Sequence, residues 1–318
     1  MEKKESILQL FPDTYRSFFK EVIKQSEQMN EIRMRADRPI IVIWNGQEYF
    51  LTESGAFTKE EKLAKKIEQK ELEMILNHIC NYSIYAFEDE IRQGFLTVQG
   101  GHRIGVAGQA VMKTEKEMKN MKHICFINIR ISHQIIGAAD AVMPFLYEKD
   151  IICNTLLISM PGVGKTTLLR DIVRQVSDGN SYGKGVNVGV VDERSEIAGC
   201  FQGRAQNDLG IRTDVLDACP KALGMMMLLR SMSPKVIAVD EIGGKEDEEM
   251  IRQVTRCGVH IMATIHGNDL EDLKNNAIGK ELVKEAIFDR YIVLNKEKNG
   301  TIRRTIYDKE LSECFVCC

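Results

Sequence analysis

Residues 155–170 read T-L-L-I-S-M-P-G-V-G-K-T-T-L-L-R, a spacing of glycines, lysine and threonine that can hold a phosphate. Backbone N–H groups surround an anion only where no Cβ obstructs the approach, and a following helix aims its unpaired N–H groups and positive dipole end at the same point. Lys165 supplies a mobile point charge for the β and γ phosphates, and the Thr166 hydroxyl is placed to ligate a magnesium ion bridging them. The reading is a P-loop running through Ser159, Met160, Pro161, Gly162, Val163, Gly164, Lys165, Thr166 and Thr167, with ATP and Mg as cofactors. The strict motif G-x-x-x-x-G-K-[ST] places glycine where this chain has Ser159. A small residue can make the bend out of a strand, so the remaining positions carry the assignment.

Three further clusters have catalytic residue types. The apolar run Val186–Val191 ends at Asp192-Glu193-Arg194, and Val236–Val239 runs into Asp240-Glu241. Four apolar residues followed by two acids have the form of a Walker B: Asp240 holds the magnesium ion and Glu241 polarises the attacking water. A run from His260 to Thr264 ends at His266-Gly267. Carboxylates at the C-terminal ends of parallel strands sit where an open α/β sheet binds its ligand. A charged strand end alone is ordinary; three in the order acid pair, acid pair, histidine after a phosphate loop are not.

The elements that must position these groups follow from periodicity. Thr155–Ile158 reads as a buried strand and Lys165–Val176 as a helix. Lys221–Ser231 reads as a helix too rich in Met and Leu for one apolar stripe. Tyr291–Leu294 and Thr301–Tyr307, around Asn299-Gly300, read as a hairpin closing the sheet edge. Upstream, Asp13 opens a helix with Phe18, Phe19, Val22 and Ile23 inward. Residues 31–35 alternate, and Ile40–Trp44 and Glu48–Leu51 flank the hairpin turn Asn45-Gly46. Thr58-Lys-Glu-Glu61 reads as a capping box opening a helix with Leu63, Ile67, Leu72, Ile75, Leu76 and Ile79 on its buried face. Residues 94–99 and 102–108 form a second hairpin about Gly100-Gly101. Residues 114–122 read as helix or loop, and 123–131 as a strand with Asn128 and Arg130 on one face. A connector with one short helix over 138–147 completes this half. The expected fold class is α/β: a C-terminal RecA-like domain at 151–318 with a mostly parallel sheet, a 133–150 linker, and a smaller α+β domain at 1–132.

The 318 residues suffice for about two domains. A net charge of -3 argues against a nucleic-acid coat, and no nucleic-acid partner is expected. No apolar run approaches the ~18 residues a bilayer span requires, so a cytoplasmic chain is expected. Nine cysteines read as reduced thiols, and Cys314, Cys317 and Cys318 as a frayed tail.

The order Asp192-Glu193, Asp240-Glu241-Ile-Gly243, Ala263-Thr-Ile-His-Gly267 after the loop resembles the ATPases of type II and type IV secretion systems. It is similar above all to their sporulation branch, through residues 31–35, 101–105, 128–131, 191–194, 212–216 and 229–234. The resemblance implies a hexameric motor in which the N-terminal domain of one subunit closes over the nucleotide of another, with Arg103 and Arg130 best matching the donated arginines. It implies that His266 senses the γ phosphate. It also implies that the motor works at the mother-cell face of a membrane, driving membrane-embedded channel proteins of a secretion-like complex. A P-loop ATPase acting on nucleic acid and a nucleotide-gated scaffold with little turnover are the alternatives.

Overall fold

A computed structural model describes residues 3–24, 26–115, 117–298 and 300–317. Asn299 of the expected edge turn and Cys318 of the tail lie outside the described residues. The chain divides into two compact units: Met1–His133 together with Gly199–Gln206, and Gln134–Ala198 together with Asn207–Cys318.

The first unit is built on a seven-stranded antiparallel sheet. Its order is Phe57–Thr58, Gln47–Leu51, Ile41–Trp44, Met29–Arg35, Met118–Arg130, His102–Met112, Phe95–Val98. Asn45 and Gly46 both adopt positive φ, 47° and 74°, as a tight two-residue hairpin requires. Helices Asp13–Ile23 and Gln69–Ile79 contribute Phe19, Val22, Leu72, Ile75 and Leu76 to a core that takes Ile32, Met34, Ile104 and Ile129 from the sheet.

Three expectations for residues upstream of the parallel sheet are corrected. The second helix starts at Gln69, not at the Thr58 box; the capping box that forms joins Glu68 to Glu71. Residues 61–67 instead carry a short 3-10 turn and a strand, Lys66–Ile67, paired with Arg38–Pro39, which buries Ile67 and leaves Leu63 56% exposed. Met118–Lys122 is strand, extending a long hairpin with His102–Met112. The segment 138–147 makes only the 3-10 turn Met143–Phe145, in keeping with Pro144 at its start.

The second unit holds an eight-stranded sheet in the order Thr213–Asp217, Val188–Asp192, Val236–Val239, His260–His266, Thr155–Ser159, Arg290–Lys296, Ile302–Asp308, Glu313–Cys317. The first six strands run parallel, Ile302–Asp308 pairs antiparallel to Arg290–Lys296, and Glu313–Cys317 pairs antiparallel to Ile302–Asp308. Helices Lys165–Asp178, Lys221–Ser231 and Lys245–Arg256 supply the crossovers. The four strands Val188–Asp192, Val236–Val239, His260–His266 and Thr155–Ser159 are rich in apolar residues and buried almost throughout, as expected of strands covered on both faces. The second unit is therefore α/β with a mainly parallel sheet, and the first is α+β. The Ile302–Asp308 strand is not the edge: Glu313–Cys317 pairs with it, and Phe315 stacks on Phe145 with ring centroids 4.4 Å apart, so the tail is ordered strand rather than frayed. Among the described residues no helix is long and apolar enough to cross a membrane.

Candidate functional site

Adjacent parallel strands end together, and around their C-terminal ends Lys165, Thr166, Asp240, Glu241 and His266 come into one place. Thr155–Ser159 stays extended through Ser159, whose buried hydroxyl donates to the Met160 carbonyl at 3.0 Å. That backbone does not demand glycine. The turn falls instead at Gly162 (φ 76°) and Gly164 (φ 113°), where a Cβ would be strained. Met160, Pro161 and Gly162 are exposed, and Val163, Gly164, Thr166 and Thr167 half-buried at the mouth of the loop. Gly164 is the N-cap residue of the Lys165–Asp178 helix and offers no side-chain cap, so the first-turn N–H groups face the loop without one.

Lys165 is 5% exposed and runs back under the loop, donating to the Ser159 carbonyl at 3.2 Å and to His266 Nδ1 at 3.2 Å. Burial pushes its ammonium below the ordinary lysine range, opposed by the charges of Asp240 and Glu241. Pairing of Ser159 with His266 across neighbouring parallel strands sets this approach. The Thr166 hydroxyl donates to Asp240 Oδ2 at 2.8 Å. A hydroxyl and a single carboxylate side by side form a hard-oxygen set that fits magnesium, which keeps most of its ligands as water.

Glu241 follows Asp240 with a left-handed φ of 51°. Its Oε1 lies 3.1 Å from His266 Nε2, and its Oε2 accepts from Arg194 Nη1 at 2.8 Å. Glu193 forms an ion pair with Lys221 Nζ. The two members of the first acid pair thus differ. Asp192 is 1% exposed and accepts from the N–H groups of Glu196 and Ala198, each at 2.8 Å, bracing the loop beyond the strand. Burial pushes its carboxyl up to about 6, against the pull of those N–H groups. Arg170, on the loop's own helix, holds the same segment by donating to the carbonyls of Ile197 and Glu196 at 2.7 Å each. A small cavity lined by Asp192, Glu193, Arg194, Glu196, Lys221, Asp240 and Glu241 opens between these groups.

Arg103 and Arg130 belong to the other unit, where they are direct register partners on adjacent strands and share one face. Arg103 lies over the Phe95 ring, 3.5 Å from its centroid, and Arg130 is 3.9 Å from Glu31. Sequence reasoning missed Thr264, Arg194, Lys221 and Arg170 as parts of the site. Thr264 sits inside an apolar run, and the other three signal nothing until the fold supplies their partners.

The profile of the family described as Sporulation stage III, protein AA matches residues 1–313. The stage III sporulation protein AA of Bacillus subtilis (strain 168) is 40% identical, over 96% of this chain and 95% of that protein. Among solved structures, the Legionella pneumophila ATPase DotB superposes with a TM-score of 0.62 at 15% identity, covering 93% of this chain and 80% of its own. The pilus retraction motor PilT with bound ADP gives 0.57 at 15% identity, covering 91% and 82%. These two likenesses are likenesses of fold. The match along nearly the whole sequence is what places the chain: it belongs to the sporulation stage III protein AA family.

Proposed function

We propose that this chain is a magnesium-dependent ATPase, hydrolysing ATP to ADP and phosphate, that works as a hexamer and energises a secretion-like channel during spore formation. The observation that carries the reading is the meeting of Lys165, Thr166, Asp240, Glu241 and His266 at the ends of adjacent parallel strands. In this reading the loop from Ser159 to Thr167 cradles the phosphates through its N–H groups, and Lys165 turns from His266 to the β and γ phosphates. Thr166 and Asp240 would hold magnesium, which supplies charge neutralisation at the phosphate oxygens when bound. Glu241 orients and polarises the attacking water, Glu193 lines the approach, and His266 reads the γ phosphate. Phosphoryl transfer asks the protein mainly for position and charge, which a rigid set of strand ends provides.

The first unit, read as a domain of residues 1–132 with a 133–150 linker, would present Arg103 and Arg130 to a neighbouring subunit's nucleotide. Their shared face makes a paired donor of them. The motor would sit against the inner face of the mother-cell membrane, docked on membrane-embedded channel proteins. A nucleotide-gated scaffold is the second reading, favoured by one observation: both oxygens of Glu241 are already engaged, by His266 and by Arg194. Phosphate release measured with and without magnesium tests the proposal. Sustained turnover supports the motor, and tight ATP binding without turnover supports the scaffold.

A further inference from the structure

The acid pair Asp240-Glu241 leaves its strand in a turn that the backbone alone does not hold, since Glu241 adopts a φ of 51° without being glycine. Two groups hold that turn: the carboxylate of Asp240, whose Oδ1 accepts the N–H of Glu241 at 3.0 Å, and Thr264 on the neighbouring strand. Thr264, fully buried, donates its hydroxyl hydrogen to Asp240 Oδ1, and Thr264 Oγ1 accepts the N–H of Glu241 at 2.9 Å. Its carbonyl accepts the N–H of Ile242 at 2.9 Å. The Asp240 oxygen that Thr264 holds is the one facing away from Thr166, which uses Oδ2. The Thr264 hydroxyl therefore joins the Glu241 N–H in holding Oδ1, so that Oδ2 is presented beside Thr166, and it shares with Oδ1 the N–H of the strained residue that carries the second carboxylate.

We infer that Thr264 is a positioning residue for the ATPase chemistry: its hydroxyl sets the orientation of Asp240 toward magnesium and the backbone geometry of Glu241 toward water. The inference rests on the proposed ATPase reading. It separates two roles that an apolar strand residue would not have. A threonine present only to pack contributes its methyl group, whereas a positioning threonine contributes its oxygen, with a hydrogen to give and a lone pair to receive.

Thr264→Val keeps the shape and removes the oxygen; Thr264→Ser keeps the oxygen and removes the methyl. Outer partners of metal ligands change affinity or activity by about 10–100-fold when lost. Thr264→Val should therefore lower kcat by about 10–100-fold and raise the magnesium concentration for half-maximal nucleotide binding by about tenfold. Binding of a fluorescent ATP analogue in EDTA, which reads the loop alone, should stay within about threefold of the parent. Thr264→Ser should restore both kcat and magnesium dependence even if its melting temperature falls. Should Thr264→Val fail to fold, Thr264→Ser and Thr264→Ala decide the matter: near-parental magnesium dependence in serine but not alanine supports the inference. Parental magnesium dependence in Thr264→Val or Thr264→Ala, or a serine variant as impaired as these, overturns it and leaves Thr264 a packing residue. A parent protein that binds no nucleotide with or without magnesium would overturn the ATPase reading itself.

Discussion

The ammonium of Lys165 donates to Nδ1 of His266 across 3.2 Å, and this one contact fixes the chemistry of a chain of side chains. An ammonium has no acceptor, so Nδ1 must receive, and the hydrogen of the neutral ring then sits on Nε2, 3.1 Å from Glu241 Oε1. Arg194 closes the chain on the other oxygen. Lysine, histidine, glutamate and arginine are thus mutually satisfied. In the proposed reading, ATP entering the loop would take Lys165 from His266, and the γ phosphate would reach Glu241 through that same histidine.

Lys165→Ala should lower ATP turnover by about a hundredfold or more, the scale of losing one preorganised charge donor. It removes the cation that donates to the Ser159 carbonyl beneath the loop. Phosphate release at saturating ATP and magnesium checks this, and a variant turning over at the parental rate would refute the loop assignment.

Asp192 gives the fold a pH dependence of defined sign. Its carboxyl, ordinarily at 3.8, titrates at about 6 when folded, so the native state binds more protons and the residue's contribution to stability declines as pH rises through 6. Relative to Asp192→Asn, the parent should lose about 1 kcal/mol of unfolding free energy between pH 5 and pH 7. Urea titrations of both proteins at the two pH values measure it. A constant difference would mean that the carboxyl does not titrate in this range.

If Arg103 or Arg130 completes a neighbour's site, isolated protomers lack part of the machinery and turnover per subunit should rise with protein concentration. An arginine donated in trans is worth on the order of 10³ in rate. A protein carrying Arg103→Ala and Arg130→Ala and a protein carrying Glu241→Gln, each inactive alone, should recover activity on mixing. No recovery in mixed oligomers shown to form would return both arginines to a structural role beside Phe95 and Glu31.

The parts legible in sequence are those whose cause is local. Asn45-Gly46 states its own turn, the apolar spacing of Phe18, Phe19, Val22 and Ile23 its helix, and the Gly162 to Thr166 spacing its loop, because each needs only neighbours within a few residues; Asp13, read as the cap, is instead the first residue of that helix, after Pro12. The two outer strands of the parallel-sheet unit were not legible: Thr213–Asp217 is half-buried throughout and Glu313–Cys317 partly exposed, so neither carries the apolar run of a central strand. The Thr58 box failed for a different reason. It satisfied the capping pattern, but Ile67 buries its side chain in a strand pairing that a continuous helix would have broken, so the helix starts at Gln69 with its own cap. In the site, Asp240 and His266 could be read from the strands they terminate. Arg194, 47 residues from Glu241, and Thr264, inside an apolar run, acquire meaning only when adjacent strands are brought into register.

The central claim, that this site cleaves ATP rather than merely holding it, is tested most directly by measuring ATP binding and phosphate release side by side for the parent, Asp240→Asn and Glu241→Gln. The parent should release phosphate only with magnesium. Asp240→Asn should need more magnesium for both binding and turnover, because it weakens the ion's carboxylate ligand. Glu241→Gln should bind ATP as the parent does and release phosphate about a hundredfold or more slowly, since only the chemical step loses its carboxylate. Parental phosphate release by Glu241→Gln, or equal loss of ATP binding in both variants, would contradict the account.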